Sequence, residues 1–166
     1  MIYSDPIIEK YVELIKANTS AIKAFYQGEP IRLPASNLPC AIIAKRETRA
    51  GALTNAEDEH GIGMSITIVA DVRKDLSTDD NIAKAVAGVS TLYDIIEGRN
   101  EDYTLKEDSI LGILRSNIVL DAAKSLRTDL GSMTRVDYGT TLRDRAQDQW
   151  SIEARIEFVC SFSQVR

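Results

Sequence analysis

The single histidine of this sequence, His60, is the side chain best suited to general-base or metal chemistry, and three acidic residues precede it in the run Glu57-Asp58-Glu59-His60. Imidazole and carboxylates are suitable ligands for a cation, and a Ser-His-Asp arrangement would need this same histidine. Four adjacent residues form a poor cage, however, and the sequence has no second histidine or paired-cysteine motif to complete it. The pattern therefore favours a solvated acidic loop over a metal site or a catalytic triad.

Two cysteines, Cys40 and Cys160, are the candidate thiol nucleophiles. A reactive cysteine needs an electropositive, partly exposed setting that stabilises the thiolate, whereas both of these residues stand in apolar runs typical of buried strands. Their separation along the chain also lacks the spacing of a metal site. We therefore predict that both cysteines fill the core, where the two thiols approach each other only if their strands are neighbours.

Two further patterns resemble functional motifs without matching them. Gly61-Ile-Gly63 opens a predicted strand and lacks a third glycine, whereas a dinucleotide fingerprint opens a helix. The pair Asp79-Asp80 is better explained as negative charge at the positive end of a helix dipole. The sequence thus predicts no catalytic, cofactor-binding or metal-binding residue, no cofactor, and a protein that is not an enzyme.

Composition limits the remaining possibilities. The chain has 166 residues, of which 44% are hydrophobic and 27% charged, which is typical of one globular domain; we expect residues 1–166 to form a single α+β domain. Acidic residues outnumber basic ones by 25 to 20, the opposite of the balance that phosphate binding favours. No signal peptide and no apolar run long enough for a membrane helix is apparent, so we expect a cytosolic protein without membrane contact.

Two segments alternate apolar and polar residues with the period of a β-strand. One apolar series consists of Ile62, Met64, Ile66, Ile68, Ala70 and Val72, and the other of Trp150, Ile152, Ala154, Ile156, Phe158, Cys160 and Phe162. Each series predicts a strand with one buried face and one largely wet face. A slip of one residue would exchange core for solvent, so the register is strongly specified.

Two amphipathic helices are also predicted. The first begins at Asp5, a capping residue followed by Pro6, and its apolar stripe continues to about Tyr26. The second is capped by Ser77 or Thr78 and closed by Gly98. Their predicted buried stripes are Ile8, Tyr11, Val12, Ile15, Thr19, Ile22 and Tyr26 in the first helix, and Ile82, Val86, Val89, Tyr93 and Ile96 in the second.

The other segments give weaker signals. A short buried strand is predicted from Cys40 to Ala44, followed by a loop from Thr48 to His60. The segment between Ser109 and Leu126 fits either a helix, with Ile110, Leu111, Leu114 and Ile118 on one face, or a short strand from Asn117 to Asp121. A strand from Gly131 to Gly139, with Met133 or Val136 inward, and a charged turn from Thr140 to Gln149 complete the chain. This element order disfavours strict βα alternation and predicts a single mainly antiparallel sheet with helices packed on one face.

The order of these signals resembles the tail terminator and head–tail joining proteins of long-tailed bacteriophages. Four features carry the resemblance: the helix from Ile7 to Phe25 leading into Gly28-Glu-Pro30 and Asn37-Leu-Pro39-Cys-Ala-Ile-Ile, the strand from Ile62 to Val72 with a capped helix after it, the Gly131 to Gly139 hairpin arm, and the terminal strand that begins Gln149-Trp-Ser-Ile-Glu-Ala. The pattern extends over nearly the whole chain, although the section from Arg99 to Leu130 is not matched to it.

The resemblance implies a tail-terminator-like fold in a structural virion protein without catalytic residues. Such a subunit, assembled in the host cytoplasm, forms a homo-oligomeric ring, often a hexamer, that caps the tail tube, meets the neck and lets DNA pass without specific binding. We expect the loops Thr48 to His60 and Thr140 to Gln149 to contact neighbouring subunits or the tube. Alternative interpretations are another tail or neck component such as a tail-tube subunit, a small ligand- or nucleic-acid-binding module, or an enzyme with an unfamiliar site.

Overall fold

A computed structural model describes residues 5–28, 30, 32–52, 54, 56–71, 81–131, 134–139, 142–144 and 149–165. The helices are α1 (Pro6–Asn18), α2 (Asn81–Glu97) and α3 (Ile110–Ser116), and a 3-10 turn spans Ala35–Asn37. The strands are β1 (Ala24–Gln27), β2 (Cys40–Ala52), β3 (Glu57–Asp71), β4 (Val119–Asp121), β5 (Leu126–Asp129), β6 (Arg135–Tyr138), β7 (Leu142–Asp144) and β8 (Gln149–Val165).

The strands form one mainly antiparallel sheet in the order β1-β2-β3-β8-β5-β4, and β6 and β7 pair with β8 beside β5. Only the β1–β2 pair is parallel among the described strands. Side chains of all three helices join the sheet in one buried core. The predicted α+β class and the mainly antiparallel sheet are confirmed.

The predicted inward faces of the two long strands are confirmed. In β3 the buried residues of this face are Ile62, Met64, Ile66, Ile68 and Ala70, and in β8 they are Ile152, Ala154, Ile156, Phe158 and Cys160. Phe162 is partly buried and packs against the same core. The register Ile66↔Ile156 aligns the two apolar series across the β3–β8 pair, so helices on this one side cover both.

The second face of β3 is not wet as predicted, because Ser65, Thr67 and Val69 are also buried. Val69 packs with Leu38 and Cys40 in a small second cluster on this side. The two hydroxyl-bearing side chains are satisfied by arginine: Arg46 Nε donates to Ser65 Oγ at 2.9 Å, and Arg155 Nε donates to Thr67 Oγ1 at 3.4 Å. A central strand thus buries polar residues where neighbouring side chains reach across them.

The first helix begins as predicted and ends earlier than predicted. Asp5 Oδ1 accepts hydrogen bonds from the Ile7 and Ile8 N–H groups at 2.9 and 3.4 Å. The helix stops at Asn18, whose side-chain amide donates to Leu14 O at 2.8 Å, and Thr19 is extended. The predicted continuation to Tyr26 is wrong because residues 24–27 pair with β2 as a parallel strand, and side-chain hydrogen bonds of Asn and Thr favour such an exit from a helix.

Both alternatives for the segment between Ser109 and Leu126 occur in turn. Ser109 Oγ accepts from the Gly112 N–H at 3.2 Å and caps α3, and β4 follows as an edge strand. Ile118, predicted on the helical stripe, is half exposed because α3 ends at Ser116. In the strand predicted from Gly131 to Gly139, Val136 packs against the core.

The predicted stripe of the second helix is partly wrong. Leu92, Ile95 and Ile96 are buried, whereas Tyr93 is 44% exposed at the rim. Its ring meets that of Tyr138 edge-on, with centroids 4.6 Å apart. A tyrosine can remain at a rim in this way because its hydroxyl tolerates water while its ring packs.

Parts of two predicted loops are strand. Thr48 to His60 contains the end of β2 and the start of β3, in which Thr48 pairs with Ile62 and Ala52 pairs with Asp58. Within the predicted turn from Thr140 to Gln149, β7 pairs with the start of β8. The exposed end of β2 carries no apolar alternation, so backbone pairing with β3 is what makes it a strand.

Several predictions fall outside the described residues or side chains. These are the positions of Val72, Ser77, Thr78, Asp79, Asp80 and Met133, and the side-chain burial of Ile82, Val86 and Trp150.

Replacing Tyr11 by Phe tests how helix α1 is fixed to the sheet. The Tyr11 and Thr128 hydroxyls share a buried hydrogen bond of 2.9 Å, and the Tyr11 ring packs edge-on against Phe158 at 5.2 Å. Tyr11→Phe keeps the ring but leaves the buried Thr128 hydroxyl without this partner, so we expect the free energy of unfolding to fall by about 1–2 kcal/mol. Urea titration measures the change. Tyr103→Phe, at an 81% exposed position, is the matched control, and equal stabilities of the two variants would contradict the assignment.

Candidate functional site

The three central strands continue beyond the helix-covered core. In β2 every residue from Lys45 to Ala52 is exposed, and in β8 no residue from Ser161 to Val165 is buried. These parts and residues 57–61 of β3 remain paired to the end, with Asp58 paired to Ala52 on one side and to Gln164 on the other. The β2–β3 register shifts once, between Lys45 and Glu47. We call residues 45–52, 57–61 and 161–165 the ribbon. None of the ribbon residues is buried, so their side chains are accessible to another chain.

Local hydrogen bonds close the end of the ribbon. Thr54 N–H donates to Glu57 O at 3.1 Å, and Thr54 Oγ1 accepts from the Ala56 and Glu57 N–H groups at 3.2 and 3.0 Å. A threonine hydroxyl that binds backbone N–H groups in this way favours a turn. This turn fixes the register in which β2 returns as β3.

One edge of the ribbon is open. Strand β1 accompanies β2 only as far as Ile43, which pairs with Gln27 and whose carbonyl accepts from the Gly28 N–H at 2.9 Å. Among the described residues, no strand pairs with residues 44–52 on that side. Unpaired strand edges of this kind invite another chain to pair with them.

A hydrogen bond between β8 and Gly139 shows to which side each backbone N–H and C=O group of β3 points. Glu153 O accepts from the Gly139 N–H at 2.8 Å, so the backbone groups of Glu153 point away from β3. Glu153 pairs with Val69, and in an antiparallel ladder such a pair directs both residues' groups outward. Val69 and every second residue of β3 therefore point their N–H and C=O groups towards β2.

The same alternation identifies the outward groups of β2. Its residues Glu47, Arg49 and Gly51 lie opposite odd-numbered residues of β3, so they hydrogen-bond within the sheet. Thr48 and Ala50 lie between them, and their backbone N–H and C=O groups point to the open edge. Each of these two exposed residues can thus donate and accept one hydrogen bond to a further strand.

Gly61 and Gly63 allow neighbouring side chains to lie over the outer face of the central strand. An added Cβ at Gly63 would lie 2.8 Å from Glu47 Cγ, because the Glu47 side chain crosses the strand at this point. There the Glu47 carboxylate forms an ion pair of 3.1 Å with Arg49. Val159, 40% exposed, flanks the other side of Gly61. The glycines predicted to open a strand therefore shape its surface.

His60 lies in β3 and not in the predicted solvated loop. Its ring stacks on that of Phe162 with centroids 4.8 Å apart and an interplanar angle of 10°. Within the part of the chain that the structure describes, no group of three or more His, Cys, Asp or Glu side chains is placed to hold a metal ion. The described contact of His60 is thus aromatic packing on the inner side of the ribbon.

The two cysteines are buried, as predicted, and do not meet. Cys40 lies in β2, where it belongs to the small cluster on the second face, and Cys160 lies in β8 within the main core. Strand β3 separates their strands, so the condition for the thiols to approach is not met. Burial raises the pKa of the Cys40 thiol to about 11 and raises that of Cys160. A thiol that resists ionisation is a poor nucleophile.

Tyr138 fixes the end of α2 over β6. Its hydroxyl donates to Glu97 Oε1 at 2.5 Å, and its ring contacts Tyr93. Burial is the larger cause and the hydrogen bond with Glu97 the second cause of the raised pKa of Tyr138. Beside this contact lies an open groove of about 530 Å³ that Arg99 also lines. The turn after α2 is thereby placed on the β8–β6 side of the subunit, away from the β2 edge.

None of the helices in the described residues combines the length and apolarity that a membrane span requires.

No family model matches this chain, and no curated protein matches it. A solved structure, described as a virion of native gene transfer agent (GTA) particle, contains a chain that is similar to this one. The two are 13% identical, the match covers 99% of this chain and 89% of that chain, and the TM-score is 0.25. Because this TM-score is well below the level at which two chains share a fold, the similarity carries no argument about fold or function.

The raised pKa of Cys40 gives a pH-dependent contribution to stability. The unfolded thiol ionises near pH 8.5 and the folded thiol near pH 11. The contribution is therefore complete below about pH 8.5 and is lost as the pH rises through about 11, by an amount on the order of 3 kcal/mol. Denaturant titrations of wild type and Cys40→Ala across this range measure it as a difference between the two pH slopes. Parallel slopes would contradict the prediction.

Proposed function

We propose that this chain is a structural virion protein, a tail terminator or head–tail joining subunit whose ring caps a phage tail tube and links it to the neck. The observation that carries the proposal is the open edge of β2, at residues 44–52, on a ribbon that extends past the core. The resemblance of the element order to this class of protein supports the same role. The subunit acts by assembly, and we propose no catalytic step for it.

A ring requires a heterologous contact, in which one surface of a subunit meets a different surface of the next. The edge of β2 supplies one such surface, with outward backbone groups at Thr48 and Ala50. The segment also carries Lys45, Arg46 and Arg49. Charged side chains discourage indiscriminate pairing of edge strands, so this edge favours a partner of defined shape and charge over open-ended aggregation.

The expected partners follow from the resemblance. They are further copies of this chain, six in the favoured ring, together with tail-tube and neck proteins in the virion. DNA passes through the ring without specific binding, and the formal net charge of −5 supports this because an acidic surface repels the phosphate backbone.

Replacing Ala50 by Pro tests the edge. Proline removes an N–H that points outward and leaves the β2–β3 ladder intact, which is the condition under which strands tolerate it. We expect the purified Ala50→Pro variant to remain folded and to lose ring formation. Sedimentation velocity and electron microscopy of negatively stained particles measure assembly, and circular dichroism measures folding.

Ala50→Thr is the matched control, because it keeps the N–H and suits a strand; it should assemble like the wild type. Rings of unchanged size and stability in Ala50→Pro would exclude the edge as the contact. A wild-type chain that stays monomeric at high concentration would contradict the ring itself.

The acidic character of the chain predicts weak interaction with nucleic acid. At physiological salt we expect no saturable binding of a DNA duplex of about 30 base pairs. Fluorescence anisotropy with purified rings measures this binding. Tight binding that weakens steeply with added salt would favour a nucleic-acid-binding module over a passive channel.

A further inference from the structure

The turn between α2 and α3 presents an exposed aromatic side chain in a conformation that aromatic residues rarely adopt. Tyr103 is 81% exposed and has a φ of 66°. The left-handed region is unfavourable for an L-residue with a side chain, and an exposed ring recovers little of that cost in the isolated subunit. A residue held in such a conformation suggests a role that the free subunit does not reveal.

Hydrogen bonds hold this turn rigidly. Tyr103 N–H donates to Asn100 O at 3.0 Å, and Asn100 N–H donates to Thr104 O at 2.9 Å. Arg99 Nη1 donates to Tyr103 O at 2.9 Å, and the backbone of Arg99 forms an isolated antiparallel β-bridge with Leu105. The arrangement is a tight hairpin with a left-handed residue just after the turn, where glycine is usual. The Tyr103 side chain therefore projects from the turn and has little freedom to fold back against it.

Rigid exposed tyrosines are typical anchors of protein interfaces, because they bury a large area with little loss of conformational freedom. Charge identifies the matching surface. Residues 99–108 contain four acidic and two basic residues, a net charge of −2, whereas residues 44–52 contain three basic and one acidic residue, a net charge of +2. Cations on both surfaces already have acidic partners. Arg99 and Lys106 pair with Glu97 and Asp94 of α2, whereas Lys45 pairs with Asp5 and Arg49 pairs with Glu47 inside its own segment. When the partners outside the segments are included, the turn carries a net charge of −4 and the β2 segment a net charge of +1, so the two surfaces remain opposite in sign.

The two surfaces lie on different sides of one subunit. The turn follows the end of α2, which Tyr138 fixes over β6 beyond β8, while β2 lies on the other side of β3. Surfaces so separated can meet only between copies, and such a contact is heterologous, as a ring requires.

We propose that the α2–α3 turn of one subunit, residues 99–108, docks on the β2 edge of a second copy with Tyr103 as its anchor. This assignment rests on the proposed ring, and it names the surface that meets the open edge. The acidic residues Glu101 and Asp102 beside Tyr103 face the basic segment of the neighbouring β2, and electrostatic attraction selects this pairing over contact between two β2 edges.

Tyr103→Asn tests the anchor, because asparagine tolerates the left-handed region but lacks the ring. We expect self-association of the full chain to weaken at least about tenfold, while the Tm measured at a dilution where the chain is monomeric stays the same or rises. Tyr103→Phe, which keeps the ring, should associate like the wild type. A tyrosine that merely occupies the turn would give the same rise in Tm with unchanged association, and that result would overturn the proposal.

A charge exchange tests the identity of the partner surface. Glu101→Lys and Arg49→Glu should each weaken association, and the double variant should recover it, because each interface then regains one acidic and one basic side. Weakening by Tyr103→Asn without such recovery would overturn the assignment to the β2 edge. Wild-type rings that are insensitive to all of these changes would reject this contact and leave the ring standing, whereas a monomeric wild type would reject both proposals.

Discussion

The pairing of β3 with two long partners is the constraint on which the rest of the structure depends. Along its whole length, from Glu57 to Asp71, β3 pairs with β8 on one side, and nearly the same stretch pairs with β2 on the other. Every buried backbone N–H and C=O of a central strand needs a partner, so β2 and β8 must be long wherever β3 is long. The helices, the short strands β5 to β7 and both clusters of buried side chains are arranged around these three strands.

The same ladder explains why the sheet outgrows its core. Apolar side chains cover β3 on the helix side from Ile62 to Ala70, but the backbone pairing does not stop where they stop. At residues 57–61, before Ile62, the strands are stabilised by hydrogen bonds, by the stacked rings of His60 and Phe162, and by the turn at Thr54. A monomer gains little from such an extension, since exposed strands bury little apolar area. The proposed assembly gives such an extension a role, as a surface for another chain.

Sequence patterns identified the inward faces of β3 and β8 because alternation with a period of two has one structural solution when one face is buried. The start of α1 was equally predictable, since Asp5 and Pro6 act through local hydrogen bonds and a fixed φ. The end of α1 was not, because the apolar residues after Asn18 continue a helical spacing although they lie in a parallel strand. The buried hydroxyls of Ser65 and Thr67 were also missed, since their burial depends on arginines 19 and 88 residues away in the chain.

The candidate site shows the same division. By itself the sequence determined the element types with strong periodicity, the burial of Cys40 and Cys160, and an acidic composition, because each of these depends on residue type and near neighbours. The tertiary structure alone decided that the run from Thr48 to His60 is a hairpin, that one edge of β2 has no partner strand among the described residues, and that Tyr103 is held outward at a positive φ. These features arise from hydrogen bonds between distant or oriented backbone groups, and backbone groups are chemically the same in nearly every residue, so no pattern of side chains records where they pair.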